Sequence, residues 1–489
     1  MKVSIVTEGF QNTGYGHITR CLSLSQAFSK RNIGTTIYIN GDENSSKALS
    51  LYLYNYKIID WLTHPSKLIK EINHSDILII DSYLAGKEYY NNFSKVCNLC
   101  LFIDDNLRLD YPEGIILNGT INAEFFPYKN GSPHTYLLGT KYIPLRDDFW
   151  NVPARKINPK VQSILITFGG QDQKGLTLPV LNILNEAYPD IQKNVMIGSG
   201  FANQKTLEKL ESEKVKIEVS PYPHEICDLM MSSDIAISAA GQTLYELAAT
   251  GTPTIAISVV ENQKNNIYEW KKRGFLLDTI FQTDVNYLKK IIDKVELMQS
   301  ITVRKKMSGI GRDNVDGRGA VRVIDSLISR HSQSTGFYLR NAAYMDSKIV
   351  FELSNDPDVR INSIHKGGID WNSHQEWYDE ILGRKNYIFL LAFDKNDNFI
   401  GQIRFEIKDT TATVSISLTK EFRGKGLSKN ILKEACAKIF LDENVADITA
   451  FILPNNSASI KGFVSAGFIQ NGEKEIFNEI YLKFILDRK

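Results

Sequence analysis

The chain is poor in cysteine, has almost no net charge and lacks a long hydrophobic run. Its 489 residues include five cysteines, an odd and sparse number that argues against a disulfide framework. Lys and Arg total 57 against 56 Asp and Glu, so a formal charge of +1 gives no overall attraction to nucleic acid or anionic membrane. No apolar run approaches the ~18 residues of a membrane-spanning helix. We therefore expect a cytoplasmic protein that contacts neither nucleic acid nor membrane, and its oligomeric state stays open.

Two local features bear on compartment and metal binding. Residues 1–6 read as a β-strand rather than a signal peptide, because no charged region followed by a long apolar core is present. Cys97 and Cys100 form a CxxC pair in a strand-like run, but no second pair or histidine lies at the spacing of a metal site. Buried thiols are therefore the better interpretation of this pair.

The length of the chain predicts two or three domains, and its first third shows an α/β pattern. The strand candidates are residues 3–6, 35–39, 77–80 and 99–103. Between the first two strands, the apolar and small residues that recur with the period of a helix are Ile18, Cys21, Leu22, Ser25 and Phe28. Alternating strands and helices predict a parallel sheet covered on both faces.

A second α/β pattern follows a polar, proline-bearing stretch at residues 151–159. Its strand candidates are residues 163–167, 195–197, 235–238 and 254–258, and its helical region is expected to end near Ser329. We predict two similar Rossmann-like domains, residues 1–150 and 151–330, with ligands bound beyond the carboxyl ends of the strands.

The last part of the chain has a different pattern. Residues 331–336 are polar, lack periodicity and are predicted to be a linker. The strand candidates after it, which read as successive antiparallel strands, are residues 387–393, 399–407 and 411–418. We predict a third domain over residues 337–489.

A glycine-containing turn follows the first strand and opens the first helix. Gly14 and Gly16 would let the backbone approach a ligand closely, and the free N–H groups of a helix start suit phosphate. His17 would lie in the first helical turn, where the helix dipole disfavours the imidazolium and leaves a neutral histidine able to accept a proton. An ordinary turn followed by a histidine that satisfies its helix end fits the same residues.

The second α/β pattern has three comparable loops. Gly169 and Gly170 follow its first strand, residues 239–243 join a strand to a helix with Glu246 one turn later, and residues 261–263 follow the next strand. Ordinary turn chemistry explains each loop taken alone. Together, at the strand ends of two facing halves, the loops favour a nucleotide-binding cleft.

In this order the segments resemble the UDP-sugar hydrolases of pseudaminic acid biosynthesis, GT-B-fold relatives of the glycosyltransferase that makes lipid II. The matching segments, within residues 1–328, are 14–20, 81–83, 103–105, 138–142, 145–146, 168–170, 240–243 with Glu246, and 261–263. The resemblance implies a pair of Rossmann-like domains in the GT-B arrangement. It also implies that water hydrolyses UDP-2,4-diacetamido-2,4,6-trideoxy-β-L-altropyranose to the free sugar and UDP, with inversion and without a metal.

The resemblance further implies roles for individual residues. His17 matches the catalytic histidine and would be the general base on water. The residues expected to bind the UDP-sugar are Gly14, Gly16, Arg20, Asp81, Tyr83, Gly169, Gly170, Gly241, Gln242, Thr243, Glu246, Asn262 and Gln263. The candidates for contact with the sugar itself are Asp81, Tyr83 and Asn262. Asp104 and Asp105 could form an acid/base pair, but we expect a structural or sugar-binding role for them.

A second ligand-binding motif lies in the last domain. The strand at residues 411–418 leads through the sequence RGKG at residues 423–426 into a helix, which is typical of a nest of backbone amides for a pyrophosphate. A solvated basic turn that binds no ligand would have the same sequence pattern. The residues that complete the spacing downstream are Asn456, Ser459, Ile460, Gly467 and Phe468. Together with these, the region resembles the GCN5-related N-acetyltransferases (GNATs), especially the acetyltransferase of the same pathway. The upstream residues that resemble the substrate-side half of such enzymes are 339–340, 355–356, 359–360, His374 and Trp377.

The GNAT resemblance implies an α/β acetyltransferase domain in which a neutral amine attacks acetyl-CoA, the co-substrate. The residues expected to bind acetyl-CoA are Ile416, Leu418, Arg423, Gly424, Lys425, Gly426, Leu427, Ser428 and Asn456. The implied reaction is 4-N-acetylation of UDP-4-amino-4,6-dideoxy-N-acetyl-β-L-altrosamine, whose product is the substrate of the first site. Glu406 and His374 are candidates for the base or for substrate contact. Phe463 stands where many relatives have a tyrosine that protonates the leaving thiolate.

Two other functions stay open at this point. A GT-B glycosyltransferase would keep the fold and move the sugar to an alcohol rather than to water. A nucleotide-sugar sensor would have a degenerate acetyltransferase domain, and Phe463 is the best support for it. The presence of His17 and of the RGKG sequence favours an enzyme.

Overall fold

The computed structural model describes residues 1–10, 16–42, 55–128, 134–169, 172, 174–198, 201, 204–442 and 444–488. These residues form two compact units. The larger unit comprises Ser4–Ala27 and Thr35–Asp325. The smaller unit comprises Met1–Val3, Phe28–Gly34 and Ser326–Lys489. Among the described residues, no helix is both long and apolar enough to cross a membrane.

The first sheet of the larger unit has seven strands in the order β3-β2-β1-β4-β5-β6-β7. The strands are β1 (Val3–Gly9), β2 (Thr35–Gly41), β3 (Tyr56–Ile58), β4 (Ser75–Asp81), β5 (Cys97–Ile103), β6 (Ile115–Asn118) and β7 (Thr135–Leu138). The helices are α1 (Gly16–Lys30), α2 (Pro65–Ile72) and α3 (Lys87–Ser94), with short 3-10 helices at Ala123–Phe125, Thr140–Tyr142 and Asp147–Phe149. All four strand predictions for this region are confirmed, and the pairs β2/β3, β4/β5, β5/β6 and β6/β7 are parallel.

The second sheet of the larger unit is parallel, with the order β10-β9-β8-β11-β12-β13. Its strands are β8 (Ser163–Thr167), β9 (Gln192–Ile197), β10 (Val215–Val219), β11 (Ile235–Ala239), β12 (Thr254–Ser258) and β13 (Ile280–Phe281). Its helices are α4 (Thr177–Ala187), α5 (Gln204–Glu208), α6 (Pro223–Ser232), α7 (Gln242–Ala249), α8 (Lys264–Arg273), α9 (Tyr287–Leu297) and α10 (Ile301–Asn314), with a 3-10 turn at Glu261–Gln263. Ile164 and Ile166 of β8 belong to one core and Leu165 to another, so the strand is buried on both faces as predicted.

The smaller unit contains a seven-stranded sheet in the order β14-β15-β16-β17-β18-β20-β19. Its strands are β14 (Tyr338–Asn341), β15 (Tyr387–Phe393), β16 (Phe399–Lys408), β17 (Thr411–Leu418), β18 (Asp447–Ile452), β19 (Ile469–Ile476) and β20 (Glu479–Asp487). The helices, after α11 (Gly319–Thr335), are α12 (Ser347–Ser354), α13 (Pro357–Ile361), α14 (Trp371–Gly383), α15 (Leu427–Asp442) and α16 (Ser457–Ala466). Short 3-10 helices lie at Tyr344–Asp346 and Lys420–Phe422. Neighbouring strands are antiparallel except β17 and β18, which are parallel.

The predicted linker at residues 331–336 is not irregular, because helix α11 continues to Thr335. The side chains of this polar stretch bond back to the helix itself. Ser332 Oγ donates to the carbonyl of Ile328 at 2.7 Å, and Thr335 Oγ1 donates to that of His331 at 3.0 Å. The polar composition was therefore a misleading signal, and the expected helix end near Ser329 was wrong.

Two smaller sequence predictions concern side-chain burial. The residues predicted on the inner face of the first helix, all at most 2% exposed, are Ile18, Cys21, Leu22, Ser25 and Phe28. In the CxxC pair, Cys100 is buried and Cys97 is half-buried, and both are free thiols. The helix prediction is confirmed, and the prediction of buried thiols holds fully for Cys100 alone.

Candidate active sites

His17 and Asp81 form a hydrogen-bonded pair in the larger unit. His17 lies in the first turn of α1, after β1, and Asp81 ends β4, the neighbour of β1 in the sheet. The His17 Nδ1 and Asp81 Oδ1 atoms are 2.7 Å apart. The side chain of Asp81 is fully buried, whereas that of His17 remains 14% exposed. The pair thus joins an inaccessible carboxylate to an imidazole that solvent or a ligand can reach.

Arg20, one turn after His17, fixes this carboxylate. Its Nε and Nη2 atoms lie 2.5 and 2.6 Å from the two oxygens of Asp81, and Nη1 donates to both oxygens of Asp105 at 2.7 and 2.9 Å. Burial disfavours the ionised form of Asp81, but the charges of Arg20 and His17 and their hydrogen bonds outweigh it and hold its pKa well below the usual range. The same pairing keeps the pKa of Arg20 above its usual value despite burial.

This ionised carboxylate fixes the tautomer of His17. A carboxylate without a proton only accepts hydrogen bonds, so the 2.7 Å contact requires a proton on Nδ1. The Nη2 atom of Arg20 also lies 3.2 Å from Nδ1, but a protonated Nδ1 offers it no lone pair. In the neutral ring Nε2 is then unprotonated and able to accept a proton. The arrangement can therefore supply a general base.

Tyr83 and Asp105 complete the wall of the site. The Tyr83 hydroxyl donates to Asp105 Oδ2 at 2.5 Å, and its ring packs edge-on to His17 with 4.5 Å between ring centres. Burial, reinforced by the charge of Asp105, raises the pKa of Tyr83, so the hydroxyl stays protonated at neutral pH. Asp104 is 1% exposed and accepts from the backbone N–H of Arg108 at 3.1 Å, in keeping with a structural role.

Glu8 organises the loop after β4, and sequence reasoning missed it. Its Oε1 accepts from the backbone N–H groups of Tyr83 at 2.7 Å and Leu84 at 3.1 Å, and its other oxygen accepts from the Ser82 hydroxyl. Glu8 is only 2% exposed. The available signal was a carboxylate near the end of an otherwise uncharged buried strand, since such a charge needs partners.

The loops predicted to bind a nucleotide in the second sheet all lie at the carboxyl ends of its strands. β8, β11 and β12 are neighbours and parallel, so the loops after their carboxyl ends are adjacent. Gly169 follows β8, is exposed and has φ +80°; Gly241 immediately precedes α7; and Gln263 follows β12. A Cβ atom added to Gly16 or Gly169 would meet no atom within 4 Å, so the space beside these backbones is open.

The remaining predicted UDP-sugar residues differ in what they contact. Gln242 donates from Nε2 to the carbonyl of Pro144 at 2.8 Å, and Thr243 is half-buried in the first turn of α7. Gln263 Oε1 accepts from the Val259 N–H at 3.0 Å. The predicted residues that lie outside the described part of the chain are Gly14, Gly170 and the side chain of Asn262.

Three of the residues predicted to bind the UDP-sugar, Arg20, Asp81 and Glu246, have charged partners within the protein. Arg20 and Asp81 are bonded to each other, and Glu246 Oε1 pairs with Arg146 Nη2 at 2.7 Å, with both side chains 7% exposed. Because each group already has a charged partner inside the protein, the geometry does not favour the direct ligand contact predicted for it. Asp81 is the hydrogen-bond partner of His17, and its predicted contact with the sugar stays a prediction.

In the smaller unit, the open edge of β17 is the main feature of the second site. β17 pairs with β16 along its whole length, from Thr411 to Leu418. It pairs with β18 only at residues 411–413, so the two strands separate beyond that point. Ile416 and Leu418 lie in the separated part, where β17 forms no ladder with β18. The Leu418 carbonyl already accepts from Arg423 Nε at 2.9 Å, so the backbone of Ile416 is the part of this edge that is open to an extended ligand.

The loop after β17 is the predicted nest. Gly424 and Gly426 have φ +74° and +75°, and a Cβ atom added to either would meet nothing within 4 Å. Leu427 begins α15, followed by Ser428, so the loop leads directly into a helix N-terminus. The Lys425 ammonium lies 5.1 Å from the centre of the Phe422 ring. The role of this loop in binding acetyl-CoA stays a prediction.

Arg423 and Asn456 have structural partners. Arg423 donates to the Leu418 carbonyl at 2.9 Å and to Asp356 and Asp358 at 2.7 Å each, so its charge is already neutralised. Asn456 caps α16, because its side chain accepts from the Ser459 N–H at 3.1 Å. For Arg423, fixing the loop is the role that the geometry favours over direct contact with a pyrophosphate.

The candidates for a base in this unit differ in accessibility. His374 is 1% exposed, and its Nε2 lies 2.9 Å from the Ser347 carbonyl. The ring of His374 packs against aromatic side chains, and burial lowers its pKa. Its predicted role as base or substrate contact stays a prediction. Glu406 is exposed on β16. Phe463 is 4% exposed and packs edge-on against Phe468, with 5.0 Å between ring centres.

Comparison with known proteins identifies both regions. Residues 163–308 match the glycosyltransferase family 28 C-terminal domain, and residues 337–469 match the acetyltransferase (GNAT) domain. The solved structures similar to the last region include an aminoglycoside acetyltransferase, AAC(6')-Ib, with coenzyme A. That structure has a TM-score of 0.29 and 18% identity, covering 31% of this chain and 95% of its own. A spermidine N-acetyltransferase from Vibrio cholerae has a TM-score of 0.30 and 18% identity, with the same coverage.

Three relatives extend the comparison to the front of the chain. An uncharacterized protein of Methanocaldococcus jannaschii is 25% identical over 96% of both chains. The pseudaminic acid cytidylyltransferase and UDP-2,4-diacetamido-2,4,6-trideoxy-beta-L-altropyranose hydrolase of Helicobacter pylori is 29% identical over 58% of this chain and 49% of its own length. The spore coat polysaccharide biosynthesis protein SpsG of Bacillus subtilis is 26% identical over 68% of this chain and 99% of its own. The predicted fold class is confirmed, and the chain joins a region homologous to the UDP-sugar hydrolase protein and SpsG, with a family 28 C-terminal domain, to a C-terminal GNAT acetyltransferase domain.

Proposed function

We propose that the chain catalyses two successive reactions on a UDP-linked amino sugar. The C-terminal domain would transfer acetyl from acetyl-CoA to the 4-amino group of UDP-4-amino-4,6-dideoxy-N-acetyl-β-L-altrosamine. The larger unit would hydrolyse the product, UDP-2,4-diacetamido-2,4,6-trideoxy-β-L-altropyranose. The observation that supports this most directly is the His17–Asp81 pair, which provides a base at the strand ends of a region homologous to a UDP-sugar hydrolase.

In the hydrolysis, His17 Nε2 accepts a proton from water as the water oxygen attacks the anomeric carbon. The bond from that carbon to the diphosphate oxygen breaks, and UDP leaves with the electron pair. Attack from the opposite side inverts the configuration. Asp81 stabilises the imidazolium that forms, and the N–H groups at the starts of α1 and α7, next to Gly16 and Gly241, would offset the charge of the leaving diphosphate.

In the acetyl transfer, the chain's own groups bind and orient. The open edge of β17 would hydrogen-bond the pantetheine, and the backbone at Gly424 and Gly426 would bind the pyrophosphate. Bound acetyl-CoA supplies a thioester that an amine attacks, forming an amide as the carbon–sulfur bond breaks. Phe463 has no hydroxyl, so the proton that the thiolate receives comes from another donor or from water.

The conformation of the nest gives a direct test of the acetyl-CoA site. Gly426→Ala should raise the KM for acetyl-CoA about tenfold, because a left-handed backbone costs an L-residue roughly 1–2 kcal/mol. Gly383→Ala is the matched control, since that glycine has open space and no positive φ. Steady-state release of CoASH measures both variants, and an unchanged KM for Gly426→Ala would argue against this loop as the binding site.

The proposed function is tested with purified protein, acetyl-CoA and the UDP-4-amino sugar, following CoASH and UDP in the same reaction. We expect both products, with UDP release dependent on prior acetylation. CoASH without UDP would contradict the hydrolase assignment, and the absence of both would contradict the whole proposal.

A second candidate is a glycosyltransferase that moves the acetylated sugar to an alcohol. The match of residues 163–308 to the glycosyltransferase family 28 C-terminal domain favours it. The assay above separates the two functions, because a hydrolase releases UDP in water alone and forms the free reducing sugar. UDP release only after an acceptor alcohol is added would favour the transferase.

A further inference from the structure

On the face of the sheet that lies opposite the core of the smaller unit, strand β16 carries polar side chains. Ile403 and Phe405 of β16 belong to the hydrophobic core of this unit. Gln402, Arg404 and Glu406 alternate with them, so their side chains project from the other face. β16 is the neighbour of β17, whose opposite edge is open.

Two arginines near this face form no ion pair with any residue that the structure describes. The Arg404 guanidinium lies over aromatic rings, with 5.5 Å to the centre of Trp377 and 6.0 Å to that of Phe389. Arg360 on α13 has a buried Nε without a hydrogen bond to the described residues. Burial, followed by the charge of Arg404, lowers the pKa of Arg360, so the two cations are close enough to repel.

A buried amide beside them also has an unused oxygen. Gln402 is 1% exposed, and its Nε2 donates to Ser354 Oγ at 3.3 Å, while its Oε1 has no partner among the described residues. In the register of the sheet, Gln402 is opposite Ser417 and Arg404 is opposite Ser415 of β17. The unpaired polar groups therefore lie next to the strand that borders the open edge.

Helix α13 is held against the acetyl-CoA loop. Arg423 donates to Leu418 at the end of β17 and to Asp356 and Asp358 at the start of α13. Arg360 is two residues after Asp358 on this five-residue helix. Arg360 thus lies on a helix that Arg423 joins to the start of the proposed pyrophosphate nest.

We propose that Arg360 and Arg404 bind a negatively charged group of the acetyl acceptor, which is therefore a phosphorylated or nucleotide-linked amine. The inference rests on the proposed acetyltransferase function and adds the residues that select the acceptor. Two partly buried cations without a counter-ion are unfavourable until an anion neutralises them, and guanidinium pairs suit the oxygens of a diphosphate. A polycationic amine would be repelled by the same pair.

The test compares acetyl transfer to the UDP-4-amino sugar by the full chain with the variants Arg360→Gln and Arg404→Gln. Loss of one charged hydrogen-bond partner should raise the KM for the sugar nucleotide about 10- to 100-fold in each variant. The KM for acetyl-CoA should stay within about twofold of wild type, and Arg404→Lys should partly restore the acceptor KM. Lys395→Gln, in the exposed turn after β15, is the matched control for lost charge. An unchanged acceptor KM in both arginine variants would overturn the proposal.

If the wild-type chain does not acetylate the sugar nucleotide, the proposed function fails and the arginine pair is tested by itself. Equilibrium dialysis with UDP then measures the number of molecules bound per chain. The double variant Arg360→Gln with Arg404→Gln should bind one UDP fewer than wild type and than Lys395→Gln. Equal binding by all three proteins would overturn the anion site.

Discussion

Replacing His17 with alanine is expected to reduce the rate of UDP release by ~10²–10⁴-fold, the usual contribution of a general base. The affinity for UDP should remain close to that of wild type, because the proposed phosphate contacts come from backbone N–H groups rather than from the imidazole. His17→Asn should behave in the same way, since its amide has no basic nitrogen. Steady-state turnover and calorimetric titration with UDP measure the two effects separately.

The matched control for His17 is His64→Ala. The side chain of His64 is 52% exposed and lies in the same unit, before α2. This control should retain wild-type turnover. Unchanged turnover in His17→Ala or His17→Asn would refute the assignment of His17 as base, and the CoASH assay should be normal in both variants because the acetyl transfer does not use this residue.

Asp81→Asn should lower kcat for hydrolysis by ~10²–10⁴-fold with little change in KM. The amide of asparagine can donate to Nδ1, which stabilises the tautomer with its proton on Nε2 and removes the base. A residue that merely supported the fold would not produce a loss confined to kcat. Asp110→Asn, whose carboxylate is 76% exposed and pairs with Lys87, is the control and should have wild-type kcat.

Asp81→Asn should also reduce the free energy of unfolding by about 3 kcal/mol at neutral pH, because it removes one partner of the buried Asp81–Arg20 ion pair. The pKa of Asp81 is lowered by folding, so its stabilisation is fully present above the unfolded value near ~3.9 and is lost as pH falls through the folded value. Urea unfolding of wild type and Asp81→Asn should therefore converge towards strongly acid pH. A difference that stays constant down to that range would contradict an ionised Asp81.

The sequence predicted the elements of this fold better than the contacts in its sites. Strands such as β4 and β11 are short apolar runs that stand out from their surroundings, and glycine-bearing loops mark the ends of several strands. The pairing of His17 with Asp81 depends on β1 and β4 being neighbours in the sheet although residues 10–74 separate them in the chain. No local pattern contains that order. The strongest interactions of the site therefore became visible only in three dimensions.

The charged residues show why roles are harder to predict from a sequence than elements. The family resemblance implied ligand contact for Arg20 and Glu246, and its charge suggested the same for Arg423, and each of them has a charged partner in the fold. His374 was a base candidate by residue type and is a core residue by packing. A sequence shows which groups could bind a ligand, whereas the fold decides which of them remain free to do so.

The smaller unit is built from three separate stretches of the chain, so it cannot be produced whole as one continuous C-terminal fragment. A fragment beginning at residue 337 would lack Asn32, whose carbonyl accepts from the Asn341 N–H at 3.1 Å, and Arg31, which pairs with Asp397 at 2.9 Å. It would also begin beyond the last turn of α11. Expression of the two units as independent polypeptides would consequently leave the smaller one without part of its own framework. Point substitutions are therefore the better means of removing one proposed activity at a time.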